Sequence, residues 1–256
     1  MKEAISKRAA HIVHELGLCS CKVSEIIENI ESTYTAPDIK LETMLNAVDH
    51  TVLSFNATEQ DILKVCGEAL QYKFKAICIN PVWVKTAFEY RKQNNGKYLI
   101  ATVIDFPLGA STIKARIAET KQALIDGADE IDLVISIGLL KSGRLKDTFE
   151  MIKAVALCGG YLKVILETSA LTVDEKIDGA VISVLAGAHM LKTSTGVNGK
   201  ATVEDVKLLR MIAGSRLGVK AAGGIRDKKT LVEMMTAGAD RIGCSSSVNI
   251  ASNWNE

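Results

Sequence analysis

No stretch of about 18 consecutive apolar residues occurs in this chain, which leaves no segment able to cross a membrane as a helix. The N-terminus carries Lys2, Glu3, Lys7 and Arg8 where a signal peptide would have an uncharged apolar core. An excess of one charge is also missing: 31 Lys and Arg face 30 Asp and Glu, for a net charge of +1. That balance favours neither nucleic acid nor an anionic membrane as a partner, so any anion site must be built locally. Six cysteines (19, 21, 66, 78, 158 and 244) form no C-x-x-C pair, and the four histidines show no zinc-ligand spacing with them. Cys66, Cys78 and Cys158 sit in apolar runs, where a reduced buried thiol behaves as a small core residue. The expectation is a cytoplasmic protein. With 48% hydrophobic residues in a length of 256, one globular domain is expected, and a single α/β barrel typically occupies about 250 residues.

Residues 1–17 pattern as a helix with Ile5, Ala9, Ile12, Val13 and Leu16 on one face and Gly17 placed to end it. A second helix, about Val23–Ile30, follows the Cys19-Ser-Cys21 break. His11 and His14 share a helix side, but no third ligand is near, and a surface or core role is expected. Residues 1–40 read as a helical extension packing on the main domain of residues 41–256.

From about Leu45 short β-rich runs alternate with amphipathic ones. Strands are predicted at Ala47–Leu53, Lys75–Ile79, Tyr98–Ile104, Glu130–Ile135, Leu162–Leu166, His189–Lys192, Leu217–Lys220 and Arg241–Gly243. Helices are predicted at Thr58–Gln71, Thr112–Ile125, Leu145–Leu157, Val173–Leu185, Val203–Ile212 and Lys228–Met235. Eight β-then-α units is the count that closes a TIM barrel. The triplets Gly127-Ala-Asp129, Gly187-Ala-His189 and Gly238-Ala-Asp240 each place a helix-ending glycine just before a strand. A doubly wound open sheet is the alternative, but it calls for a glycine-rich turn after the first strand, and Thr51-Val-Leu-Ser-Phe-Asn56 has none.

Strand side chains alternate, and the outer face of a barrel must be apolar to receive helices. In Glu130-Ile-Asp-Leu-Val134 that parity sends Ile131 and Leu133 outward and Asp132 inward. It sends Leu191 outward and Lys192 inward, and Leu217 and Val219 outward with Lys220 inward. Three charged residues thus converge near the C-terminal ends of strands four, six and seven, the rim where barrels build active sites. An apolar strand ending on a lysine suggests an amine whose charge is suppressed, and a neutral amine attacks carbonyl carbons to form Schiff bases.

Bringing a lysine from pKa about 10.4 to near 7 requires about 4–5 kcal/mol. A second ammonium about 6 Å away supplies roughly 3 kcal/mol at an effective dielectric of about 20. Lys220 alone falls short, and desolvation must supply the remainder. Asp132 is expected to stand off as a proton shuttle rather than a tight ion partner, and a Lys192 nitrogen locked to a carboxylate, or turned out toward the helices, would end the case for this reading. The alternative is a buried ion network that only holds the barrel together. Lys163 and Glu167, on shared parity in strand five, are expected to pair with each other, with Lys163 far from the rim.

After Lys220 comes Ala-Ala-Gly223-Gly224-Ile-Arg226, and after the last strand Gly243-Cys-Ser245-Ser246-Ser247 opens a short final helix. Glycines let backbone N–H groups turn toward an anion, and loops after strands seven and eight are where barrels commonly hold phosphate. Thr193, Ser194, Thr195 and Gly196 could contribute from strand six.

Lys192-Thr-Ser-Thr-Gly196 together with Lys220-Ala-Ala-Gly-Gly-Ile-Arg226 resembles the deoxyribose-phosphate aldolase family. So do Asp49-His-Thr51, Ala76-Ile-Cys-Ile-Asn80 and Ala128-Asp-Glu-Ile-Asp132. The likeness runs from about Leu41 to Ser252. It implies a class I aldolase (a lyase) on a TIM barrel, with no metal or other cofactor. Such an enzyme reversibly cleaves 2-deoxy-D-ribose 5-phosphate to D-glyceraldehyde 3-phosphate and acetaldehyde in deoxyribonucleotide catabolism.

Carried onto matching positions, the resemblance makes Lys192 the Schiff-base lysine, Lys220 the group depressing its pKa, and Asp132 a proton relay with Lys220. It places Asp49 and Thr168 near the sugar, and Thr195, Gly196, Gly223, Gly224, Ser245 and Ser246 among the substrate-binding residues, most of them at the phosphate. Cys78 matches a cysteine at the second strand's end, although a small core role suits it better. A homodimer or higher homo-oligomer is expected.

Three positions depart from the family pattern. Val197 stands where some members carry a basic or aromatic residue. Ser54-Phe55 replaces a frequent Lys-Pro. The chain ends Asn253-Trp-Asn-Glu256 without the tyrosine of a tail-supplied proton relay. A transaldolase-like or ketose-phosphate aldolase, or a sugar-phosphate sensor on a silent barrel, are the competing readings.

Overall fold

Alternation of side chains decides the architecture. In the computed structural model, which describes residues 1–31 and 34–255, Ile77, Ile79, Ile100, Ile104, Ile131, Leu133, Val164, Leu191, Val219 and Ile242 are all fully buried in the apolar core. These are the outward positions of a parallel sheet whose helices must cover them. The strands are β1 (Val48–Val52), β2 (Ala76–Ile79), β3 (Leu99–Ile104), β4 (Glu130–Val134), β5 (Tyr161–Ile165), β6 (Met190–Lys192), β7 (Gly218–Ala222) and β8 (Arg241–Cys244). Each pairs in parallel with the next, and β8 pairs back to β1, closing the barrel. This is the TIM barrel that the sequence pattern predicts, with strand ends shifted by only a residue or two.

The helices in chain order are α1 (Lys2–Glu15), α2 (Cys21–Glu31), α3 (Leu41–Leu45), α4 (Glu59–Tyr72), α5 (Val84–Gln93) and α6 (Ile113–Ile125). Then come α7 (Ile137–Lys141), α8 (Leu145–Ala156), α9 (Val173–Leu185), α10 (Val203–Ala213), α11 (Lys228–Ala237) and α12 (Ser247–Ser252). Their starts are chemical. Thr58 and Thr172 accept from the backbone three residues on, while Asp61 and Glu175 return the bond, in capping boxes at α4 and α9. Three of these helices, α3, α5 and α7, have no counterpart among the helices expected from the sequence. The glycines of the repeated triplet, Gly127, Gly187 and Gly238, all take positive φ at helix ends, as expected.

Helix α1 buries Ile5, Ala9, Ile12 and Val13 against α2 and α9, and α2 lies on α10. Arg8 ties α1 to α9 through Asp174 at 2.9 Å and through Asp178. His11 and His14 are exposed. All six cysteines are free, and Cys158 is half-buried rather than buried. Among the described residues no helix is long and apolar enough to cross a membrane. The terminal Glu256 of the tail lies outside the described residues.

The barrel interior is an ion lattice, where apolar layers would be usual. Its lower part joins β1, β4, β5 and β8. Arg241 donates from Nε to Asp49 Oδ1 at 2.8 Å and from Nη1 and Nη2 to the two oxygens of Glu130 at 3.0 Å each. Lys163 lies 2.7 Å from Glu130 and 2.6 Å from Asp132. Lys163 therefore does not pair with Glu167. Its long side chain rises from its low register position into the carboxylate layer, so shared parity alone misassigned the partner. Glu167 turns instead to Thr195.

Burying these groups carries a large desolvation cost that only complete pairing offsets, so removing one member leaves charge uncompensated. Arg241→Met is accordingly expected to cost about 3–5 kcal/mol of stability, read as a drop in the denaturant midpoint. A loss under about 1 kcal/mol would show that the lattice is not required for folding.

Candidate active site

The upper part of the lattice carries the candidate chemistry. The β6–β7 register sets Lys192 beside Lys220, and β4–β5 sets Asp132 beside Lys163. All four side chains point inward, as parity requires. Oδ2 of Asp132 accepts from Lys192 Nζ at 2.8 Å and from Lys220 Nζ at 2.7 Å, and Oδ1 accepts from Lys163 Nζ at 2.6 Å. Lys220 also reaches Asp49 at 2.5 Å.

Asp132 is thus a direct partner of Lys192, and the expectation that it stands off is corrected. The contact does not secure the charge on Lys192, because one carboxylate is divided among three ammonium groups. The lattice holds four bases (Lys163, Lys192, Lys220 and Arg241) against three carboxylates (Asp49, Glu130 and Asp132). One proton is in surplus. Lys163 touches three carboxylates and Lys220 and Arg241 two each, whereas Lys192 has only its share of Asp132.

The pKa directions follow that ranking. Burial lowers Lys192, Asp132 opposes and the Lys220 ammonium adds to the lowering, so the group ends below an ordinary lysine. Burial acts against the charged form of Lys220 too, but Asp132 and Asp49 outweigh it and hold that ammonium above its usual value. Lys163 is raised in the same way, chiefly by Asp132 against burial. Burial would raise Asp132, yet Lys163, Lys192 and Lys220 hold it well below the usual carboxylate range. With Lys192 neutral, three cations meet three anions.

Lys192 opens onto a cleft of about 400 Å³. Its lining mixes apolar side chains such as Val52, Leu53 and Phe106 with small and polar residues, among them Thr195, Gly196, Gly223, Gly224, Arg226 and Ser245. Gly223 and Gly224 have φ of 99° and 78°, a left-handed conformation that suits glycine. A side chain at Gly223 would meet the Gly199 carbonyl at 2.8 Å, so the loops after β6 and β7 can approach only without one.

The predicted residues thus divide. Lys192, Thr195, Gly196, Gly223, Gly224 and Ser245 line the cleft, while Ser246 faces a neighbouring one. Asp132 and Lys220 are fully buried behind Lys192. Asp49 lies under Lys220 and off the cleft wall. Cys78 is fully buried with Ala101 and Val103, and burial raises its thiol pKa. Thr168 is buried with its hydroxyl 3.4 Å from Ser194. Thr195 is committed to its own turn: its hydroxyl and N–H meet Glu167, and it accepts from Val197 N–H at 3.1 Å. Exposed Val197 adds no charge to the cleft.

Sequence reasoning did not assign Glu167, Arg226 or Phe106 to the site, or Arg241 and Glu130 to the lattice. The parity argument applied to β8 and to the start of β4 would have found the last two.

The aldolase model DeoC/LacD matches residues 43–252. A deoxyribose-phosphate aldolase of Brevibacillus brevis is 49% identical over 206 residues, 79% of this chain and 92% of that protein. That of Caldanaerobacter subterraneus is 47% identical over 224 residues, 84% and 96% of the two chains. A solved Coccidioides immitis chain superposes with TM-score 0.84 at 38% identity, covering 93% of this chain and 95% of its own. A tetrameric deoxyribose phosphate aldolase from Aeropyrum pernix does so with TM-score 0.78 at 30% identity, covering 85% and 93%. With Lys192 and Lys220 side by side on adjacent strands and a family match that spans the whole barrel, this chain belongs to the DeoC/LacD aldolase family.

Proposed function

We propose that this chain is a class I aldolase that reversibly cleaves 2-deoxy-D-ribose 5-phosphate into D-glyceraldehyde 3-phosphate and acetaldehyde. The observation that carries the reading is the placement of Lys192. Among the described residues it is the lattice base on the cleft wall, and it is the one with the weakest carboxylate compensation. The relatives named deoxyribose-phosphate aldolase support the substrate. So does the polar lining of Gly196, Gly223, Gly224, Arg226 and Ser245, whose N–H groups, hydroxyl and guanidinium suit a phosphate at the far end of a short sugar.

The neutral Nζ of Lys192 adds to the aldehyde carbon C1 of the open-chain sugar, and loss of water gives an iminium. That cation draws in the C2–C3 bonding pair while the C3 hydroxyl gives up its proton, releasing glyceraldehyde 3-phosphate. The remaining enamine takes a proton at C2, and water then frees acetaldehyde and restores the amine. Asp132 and Lys220 sit behind Lys192 in one hydrogen-bonded chain, suited to lend and recover the protons these steps need. Since Asp132 stays ionised and Lys220 protonated, an iminium on Lys192 re-creates the four-to-three charge balance inside the barrel. It thereby makes the electron-poor carbon a stronger sink. Self-association is expected as well, since the Aeropyrum pernix relative is tetrameric.

Borohydride reduction in the presence of acetaldehyde should fix one ethyl group on the peptide containing Lys192, read by intact mass and peptide mapping. Labelling on any other lysine would move the reaction elsewhere. Lys220→Leu removes the neighbouring cation and leaves three bases facing three carboxylates. Lys192 then keeps its proton to higher pH, its pKa rises, and the optimum of the residual activity should climb by about 1–2 pH units. An unmoved or lowered optimum in a pH–rate profile would remove Lys220 from its assigned part.

A further inference from the structure

On the outer side of the sheet, next to the turn that carries Ser245, runs a second hydrogen-bonded chain that the aldolase chemistry does not use. His50 of β1 stands opposite Cys244 of β8 and takes outward parity. Its Nδ1 lies 2.5 Å from Ser247 Oγ, and its Nε2 lies 2.7 Å from Glu68 Oε2 of α4. A carboxylate only accepts, so in the neutral ring the proton belongs on Nε2 and donates to Glu68. Nδ1 is then the acceptor, and the Ser247 hydroxyl must donate to it. Burial holds the imidazole below its ordinary pKa against the opposing pull of Glu68, with Lys64 of α4 the other charged group near it.

Serine, histidine and glutamate in series suggest a nucleophile, but Ser247 is fully buried and 2.5 Å from the ring. No acyl group can reach it. What the chain does control is position. Ser245 lines the active cleft on one side and a second cleft of about 1020 Å³ on the other, whose wall includes His50, Glu68 and Ser246. The turn from Ser245 to Ser247 is therefore a partition between two openings. Beyond it α12 is six residues long and is held through buried Ile250 and Ala251 and through the Tyr72–Ser252 bond. The competing acceptor for the Ser247 hydroxyl proton, the Cys244 carbonyl, is farther away at 3.4 Å.

We propose that His50 is a positioning residue: with Glu68 and Ser247 it pins the β8–α12 turn to β1 and so sets how tightly the cleft holds the phosphate end of its substrate. This rests on the phosphate reading of the cleft's polar lining, and it assigns the control of that affinity to residues outside the cleft. Neither His50 nor Ser247 touches the substrate. Their loss should therefore appear in phosphate binding and leave the covalent chemistry unchanged.

The test uses the full chain with His50→Leu, His50→Asn and Ser247→Ala. Inorganic phosphate is titrated by calorimetry, and steady-state kinetics compare 2-deoxyribose 5-phosphate with 2-deoxyribose. Losing one buried hydrogen bond should weaken phosphate binding and raise KM for the phosphorylated sugar by about 5–10-fold. The kcat should stay within about twofold and kcat/KM for 2-deoxyribose unchanged. His50→Asn, whose amide oxygen can take the place of Nδ1, should recover most of the loss.

Equal losses on both sugars, unchanged phosphate affinity, or no recovery in His50→Asn would reduce the chain of bonds to a stabilising contact and overturn the proposal. Should His50→Leu fail to fold, Ser247→Ala alone decides between the same two outcomes. Failure of the aldolase reading would show separately, as wild-type protein that neither traps acetaldehyde nor turns over, while the phosphate titration still reports on the turn.

Discussion

The rest of the structure depends on a count of charges. Four bases and three carboxylates share a buried volume, and the charge is least favoured on the base with the least carboxylate compensation. Geometry selects that base. Lys163, Lys220 and Arg241 are each wedged between two or more carboxylates, whereas Lys192 sits at the open end and shares Asp132. Burial and the Lys220 cation lower the pKa of Lys192 against the pull of Asp132, and Lys220 does so without touching the cleft.

This arrangement also gives the barrel its polar filling a reason. Apolar layers would close the interior equally well and at lower desolvation cost. Here β1, β4, β5, β6, β7 and β8 each place an ion at an inward position, while most outward ones are Ile, Leu and Val. Packing of the helices and tuning of the site are thus separated onto the two faces of one sheet.

Much of this was legible in the sequence, for a geometric reason. Period-two alternation is strict in a regular strand, so Asp132, Lys192 and Lys220 could be aimed inward from the residues on either side of them. Parity says nothing about height or reach. Lys163 begins low in β5, yet a four-carbon stem carries its nitrogen up to Asp132, and Glu167, two turns of the pleat further on, adopts a left-handed φ of 54° that aims it at the Thr195 turn. Pairing along a strand was therefore the wrong inference, and pairing across strands the right one. Helices α3 and α7, five residues each, were too short to show a period. The contact of His50 with Ser247 spans nearly two hundred positions and leaves no local mark.

Seven consecutive residues of α9, from Ile177 to Ser183, are buried, so this helix has no watery side over nearly two turns. The barrel covers one flank and the leading helix α1 another, with Arg8 clasping Asp174 and Asp178. The extension is thus a roof and not an ornament. Stripped of it, the same barrel would show solvent an oily band, and the chain would be drawn to bury that band against whatever surface it met.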